Sequence, residues 1–126
     1  MARTGIQTDG APRPAGPYSQ GIRAGGFVFC AGQGSARPDG SIPDTFEAQV
    51  VQMFENLQAV ARAAGCELSD AVQVRVFLRD LKNFAAMNEV YKRYIGDPPP
   101  ARTTVQAALP GERIDVEADV ILEARA

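Results

Sequence analysis

From Ile114 to Leu122 the chain alternates, with Ile121 the one apolar residue on the polar side. Ile114, Val116, Ala118, Val120 and Leu122 fall on one side, and Asp115, Glu117 and Asp119 on the other. A period of two residues is that of a β-strand, so this segment must be a strand with one apolar and one polar face. The same alternation appears upstream, where Val72, Val74, Val76 and Leu78 interleave with Gln73, Arg75, Phe77 and Arg79. Elsewhere the period changes. Phe46, Val50, Met53, Phe54, Leu57, Val60, Ala61 and Ala64 recur at helical spacing, giving one long buried stripe. Asp44 is the expected N-cap, with Glu47 three residues on completing a capping box, and Gly65 is the stop. A second helix is expected from a cap at Asp80 to about Ile95, ended by Gly96.

Two shorter strands precede the long helix, at 18–24 and 27–31, separated by the turn signal Gly25-Gly26. A strand after Pro98-Pro99-Pro100 and a turn at Pro110-Gly111 complete the order β-β-α-β-α-β-β. That order predicts an α+β domain, a sheet carrying two helices on one face. At 126 residues the chain is one domain, 1–126, with a core of useful size. Residues 1–17 are rich in Gly, Pro and Ala and read as a lead-in, loosely ordered over 1–14.

Several function classes drop out. The net charge is −2 and the arginines are spread singly, so no stripe is built to track phosphates, which disfavours nucleic acid as a partner. There is no histidine, which removes every triad that uses an imidazole base. Cys30 and Cys66 have no metal-ligand spacing. Cys30 sits in an apolar strand as a core residue, while Cys66, just after Gly65, is expected to be partly exposed. No stretch approaches the ~20 apolar residues of a membrane span, and the N-terminus leads into no apolar signal segment. A reducing, cytoplasmic setting is the expectation.

Arg102 is the leading site candidate. Prolines hold φ near about −65° and push the preceding residue into extended geometry, so 98–100 deliver the strand stiffly. Alternation places Arg102, Thr104 and Gln106 on one face and Thr103, Val105, Ala107 and Leu109 on the other. A guanidinium held this way offers its fork of donors to a carboxylate at small entropic cost. Asn88, on the second helix near Phe84, Met87 and Tyr91, borders the apolar stripe, and its half-buried amide needs partners. Gly32 and Gly34, at the end of the second strand, allow close approach of a ligand or a neighbouring chain. The acidic file of Asp115, Glu117 and Asp119 is expected to share its sheet face with Thr104, Gln106, Phe77, Arg75 and Ile121. A face so mixed suits another subunit, with Arg75, Arg79 or Arg113 as partners for the carboxylates.

Five segments carry a resemblance. Gly16-Pro17-Tyr18-Ser19-Gln20, Cys30-Ala31-Gly32-Gln33, Phe84-Ala85-Ala86-Met87-Asn88-Glu89-Val90-Tyr91, Pro100-Ala101-Arg102-Thr103-Thr104-Val105 and Ile114-Asp115-Val116-Glu117-Ala118 occur in this order. Together they resemble the RidA (YjgF) family over nearly the whole chain. The resemblance implies a Bacillus-type chorismate-mutase-like α+β fold, assembled as a homotrimer with ligand clefts between subunits. It also implies hydrolysis of reactive 2-imino acids and their enamine tautomers to 2-keto acids and ammonia, with no cofactor or metal. Such imines arise from pyridoxal-phosphate-dependent enzymes. By position, Arg102 matches the arginine that grips the substrate carboxylate, and Tyr18, Gly32 and Asn88 match residues lining the cleft.

Two positions depart from the archetype. Thr104 stands where archetypal members have cysteine, although a backbone carbonyl there can still hold a water. Asp115 stands where a glutamate orients the attacking water, one methylene shorter than the geometry of a general base was built for. Glu117, on the same face, is the alternative carboxylate. Other activities compatible with the resemblance are a non-catalytic trimer that binds small carboxylates or acts as a chaperone-like partner, deamination of a larger enamine, and endoribonuclease action. The last is disfavoured by the acidic balance.

Overall fold

The computed structural model describes residues 2–126. In chain order the elements are β1 (Thr4–Ile6), β2 (Gly21–Ala24), β3 (Phe27–Gln33), α1 (Phe46–Ala63), β4 (Ala71–Leu78), α2 (Phe84–Tyr91), β5 (Ala101–Gln106) and β6 (Val116–Glu123). They form a six-stranded sheet in the order β1-β2-β3-β6-β4-β5. Only β4 and β5 run parallel; α2 lies in their crossover, as a parallel pair requires. The mixed α+β sheet with two helices is therefore as the alternating periods predict.

The sealed face holds Val28, Cys30, Val74, Val76, Leu78, Val116, Ala118, Val120 and Leu122, all in one buried cluster with Val50, Met53, Phe54, Leu57 and Met87 of the helices. Each side chain that loses its contacts here, such as Leu57→Ala, would cost about 2–5 kcal/mol. Tyr91 meets Phe54 edge-on at 5.8 Å between ring centroids, which ties α2 to α1. Cys66 lies in this core rather than at the surface, and the same burial applies to Cys30, whose thiol is pushed up to about 12, chiefly by desolvation. Neither thiol is placed for nucleophilic chemistry.

Local signals shift by a residue or two from expectation. Thr45, not Asp44, caps α1, its hydroxyl accepting from the Ala48 amide at 3.1 Å. Glu47 closes no capping box and pairs with Arg93 at 3.0 Å. Gly65, at φ +79°, does end the helix as expected, a conformation that side chains with a Cβ resist. Asp80 caps only a short 3-10 turn, accepting from the Lys82 amide at 2.9 Å, and the helix proper begins at Phe84 and stops at Tyr91. The lead-in is more ordered than its composition suggests. Thr4–Ile6 adds a sixth strand against β2, and the buried Gln20 side chain is bonded to Thr8, Ala11 and Pro12.

One face assignment is corrected. Arg102, Thr104 and Gln106 pair across from Val74, Val76 and Leu78, so they point to the helix side of the sheet. Thr103 and Val105 are the residues that share the open face with Arg75, Phe77, Glu117 and Asp119. The alternation within β5 is as expected; its phase relative to the sheet is set by pairing with β4.

Candidate functional site

The proline-led strand puts Arg102 on the outermost strand, half-buried under α2. Its guanidinium carbon lies 4.6 Å from the Tyr91 ring centroid and 5.5 Å from that of Phe84. Both distances are within the range of cation–π attraction, so two aromatic rings help to hold the group in place. Among the described residues Arg102 makes no ion pair. Around it lie three buried polar atoms without a partner: Asn88 Oδ1, the Tyr91 hydroxyl and Thr104 Oγ1. Burial pushes the Tyr91 phenol up, against the pull of the Arg102 charge beside it. Buried polar atoms left unpaired are rare and costly, on the order of 1–3 kcal/mol each. Of the three, the two hydroxyls can donate to an anion held by the Arg102 cation, whereas Asn88 Oδ1 can only accept and requires a donor.

A second set of residues lies elsewhere. Tyr18, half exposed, borders a cleft of about 590 Å³ with Gly32, Gly34, Ile114 and Glu117. Gly32 falls at the irregularity of β3 between Cys30 and Gln33, and a Cβ built on it would lie 2.7 Å from Glu117 Oε2. A side chain at Gly32 would displace that carboxylate. Glu117 is half-buried on the open face, opposite Phe77 of β4. Burial first, then the neighbouring Asp119, raises its carboxyl above the ordinary glutamate range.

The other two acids of the file are already engaged. Asp119 receives two bonds from Arg75, at 2.7 and 2.9 Å. Asp115, just before β6, has Oδ1 3.5 Å from Arg79 Nε. Arg79 also donates to the carbonyls of Ile114 and Gly111 and so clamps the turn into β6. Arg113, the third expected partner, lies nearest Asp44 instead.

Buried amides supply the scaffold for this second set, and the sequence reading did not single them out. Gln49 donates to the carbonyls of Pro43 and Arg113 and accepts from Ser35 and the Asp115 amide. Asn56 donates to Gly34 and Ala36. The signal was present: both are polar residues seven apart within the apolar stripe of α1. Among the described residues no group of three or more His, Cys, Asp or Glu is arranged to hold a metal ion. No helix is long and apolar enough to cross a membrane.

Within one chain the two sets cannot meet. Tyr18, Gly32 and Glu117 belong to the open side, whereas Arg102, Thr104 and Asn88 belong to the helix side. β3 and β5 are also three strand spacings apart, about 14 Å at ~4.8 Å per spacing.

Comparison with known proteins places these features in a family. Residues 8–124 match the family described as Endoribonuclease L-PSP. A protein of Dermatophagoides farinae named 2-iminobutanoate/2-iminopropanoate deaminase is 38% identical over 122 residues, covering 94% of this chain and 95% of that one. The crystal structure of RidA from the Antarctic bacterium Psychrobacter sp. superimposes with a TM-score of 0.89 at 40% identity, covering 95% of this chain and 98% of that one. E. coli TdcF, crystallised with bound serine, matches with a TM-score of 0.89 at 35% identity, covering 98% and 99%. The chain therefore belongs to the RidA (YjgF) family, the Endoribonuclease L-PSP family of the matched sequence model.

Proposed function

We propose that this protein hydrolyses small reactive 2-imino acids, and their enamine tautomers, to 2-keto acids and ammonia, in clefts formed between the subunits of a homotrimer. The observation that carries this reading is the environment of Arg102: a cation stacked on two rings, without an ion pair, beside three unpartnered polar atoms. A bidentate carboxylate satisfies the cation. The Asn88 carbonyl oxygen and the hydroxyls of Tyr91 and Thr104 then lie next to the substituents on the adjacent carbon. A relative named as an iminobutanoate and iminopropanoate deaminase, and another crystallised with serine, support ligands of this size and charge.

The remaining groups come from the second set. If Tyr18, Gly32 and an acid of the β6 file act on the molecule held by Arg102, a neighbouring copy must bring them. Phe27 and Phe29, each 43% exposed on the open face, mark the apolar surface such a neighbour would cover. The chemical demand is modest, because small imines already react with water. Fixing the carboxylate and one water in register supplies orientation that free solution lacks.

A direct assay tests the reading. 2-Iminobutanoate and 2-iminopropanoate are generated in situ by a pyridoxal-phosphate-dependent dehydratase, and keto-acid release is followed beside a panel of bulkier imines. Saturable acceleration on the small imines is expected. Rates equal to the protein-free control on every member of the panel would overturn it.

A further inference from the structure

Gln49 sits on α1 among apolar residues and is only 4% exposed, so its amide must find its partners inside the protein. Oε1 accepts from the Ser35 hydroxyl and the Asp115 amide, both at 2.9 Å. Nε2 donates to the carbonyls of Arg113 at 3.0 Å and Pro43 at 3.3 Å. A glutamine side chain has two acceptor lone pairs and two N–H donors, and here all are used. Turning the amide over would set Oε1 against two carbonyls and Nε2 against an N–H, so this network fixes its orientation.

The partners lie where the sheet gives out. At this end the β3–β6 pairing reaches Gln33 with Ala118, and β6 itself begins at Val116. The Arg113 carbonyl and the Asp115 amide are past both, and Gln49 is what satisfies them among the described residues. The gripped residues are also the neighbours of those that line the Tyr18 cleft. Ser35 stands between Gly34 and Ala36, and Arg113 and Asp115 flank Ile114; Gly34, Ala36 and Ile114 all line it. The two sides nearly touch there, since a Cβ built on Gly34 would lie 3.3 Å from Ile114 Cγ2.

From this geometry, and resting on the deaminase reading, we infer that Gln49 is a positioning residue for the reaction. It does not line the cleft, yet it sets the spacing between the exit of β3 and the entry to β6, the two segments that do. Its action is one-sided. Arg102 is carried by β5 under α2, and none of the four amide bonds goes to either element. Losing the amide should therefore disturb the groups that act on the bound molecule and spare the grip on its carboxylate.

Three variants test this at a temperature where each is folded. Gln49→Met keeps the length and helix propensity of the side chain and removes all four bonds. Ser35→Ala removes one of them and is the milder variant, which decides the matter if Gln49→Met does not fold. Val60→Ala, elsewhere in the buried part of α1, weakens packing without touching a hydrogen bond and is the control for general destabilisation. On 2-iminobutanoate, Gln49→Met is expected to lose ~10- to 10²-fold in kcat, the scale of a small misplacement of reacting groups. The Kd for 2-oxobutanoate should stay within about twofold of wild type, a split that marks a contact felt in the transition state. Ser35→Ala should shift kcat in the same direction by less, and Val60→Ala should keep wild-type kcat per folded protein.

Amide hydrogen exchange gives a readout apart from turnover. Exchange should quicken over 108–118 in Gln49→Met, and over 101–106 it should match wild type. Wild-type kcat in Gln49→Met and Ser35→Ala, or exchange over 108–118 equal to wild type, would overturn the assignment. A wild-type protein inactive on every imine would defeat the deaminase reading itself; the exchange pattern would still decide whether Gln49 holds the cleft.

Discussion

Arg102→Lys is expected to lose most of the affinity for pyruvate or 2-oxobutanoate while the fold and assembly stay intact. A lysine ammonium is a point charge on a flexible stem. It cannot present two parallel donors to one carboxylate, nor lie flat on the Tyr91 ring as the guanidinium does at 4.6 Å. Each charge-assisted bond contributes ~1.5–3 kcal/mol, so losing the fork while keeping some Coulomb attraction should cost on the order of 2–4 kcal/mol, roughly 30- to 800-fold in Kd. Calorimetric titration reads this directly. An unchanged Kd would mean that Arg102 is only an arginine on an outer strand, its stacking on α2 merely structural.

The second large effect concerns assembly. Phe29 stands on the open face with Ile22 and Ile121 as cross-strand neighbours and Phe27 at 6.4 Å between centroids. It lies outside the buried cluster, so Phe29→Glu should leave the isolated chain folded. If a second copy covers this face, the new carboxylate is buried with Asp119 nearby and Arg75 already paired with that acid, at a cost of several kcal/mol. Light scattering should give three times the 13.4 kDa chain mass for wild type and a single chain mass for Phe29→Glu at micromolar concentration. Imine turnover should fall with it, because each cleft would lack half its groups. A folded Phe29→Glu protein with the wild-type mass would place the interface elsewhere.

Much of this was legible in the sequence, for identifiable reasons. The alternations at 73–78 and 116–123 and the stripe of α1 recur over enough residues to fix their periods. Val72, expected with Val74 on the apolar face, is exposed because the β4–β6 register shifts between Ala71 and Gln73. Arg102 stood out because the prolines before it leave little conformational freedom. The parity of β5 was also readable. Which face that parity meant was not, because an outer parallel strand takes its phase from the partner it pairs with. For the same reason Thr104 was expected beside the acids, and it lies instead under α2. β1 escaped because Thr4-Gly5-Ile6 is three residues with a glycine at the centre, held by backbone pairing that leaves no pattern.

The candidate site shows the same division. Asn88 was visible as an amide bordering an apolar stripe, but that its Oδ1, like the Tyr91 and Thr104 hydroxyls, is buried without a partner depends on how α2 packs. Asp115 and Glu117 have equal standing in an alternating file. Only the irregularity at Gly32, which seats the glutamate against bare backbone, and the Arg79 clamp on the aspartate separate them.

The most direct test is a crystal structure of the protein with 2-oxobutanoate bound. The carboxylate should accept two bonds from Arg102 of one subunit at about 2.7–2.9 Å, the range of charge-assisted pairs. The keto carbon should then face Tyr18, Gly32 and Glu117 of the neighbouring subunit. A ligand bound within a single chain, or bound without contact to Arg102, would contradict a site assembled between copies.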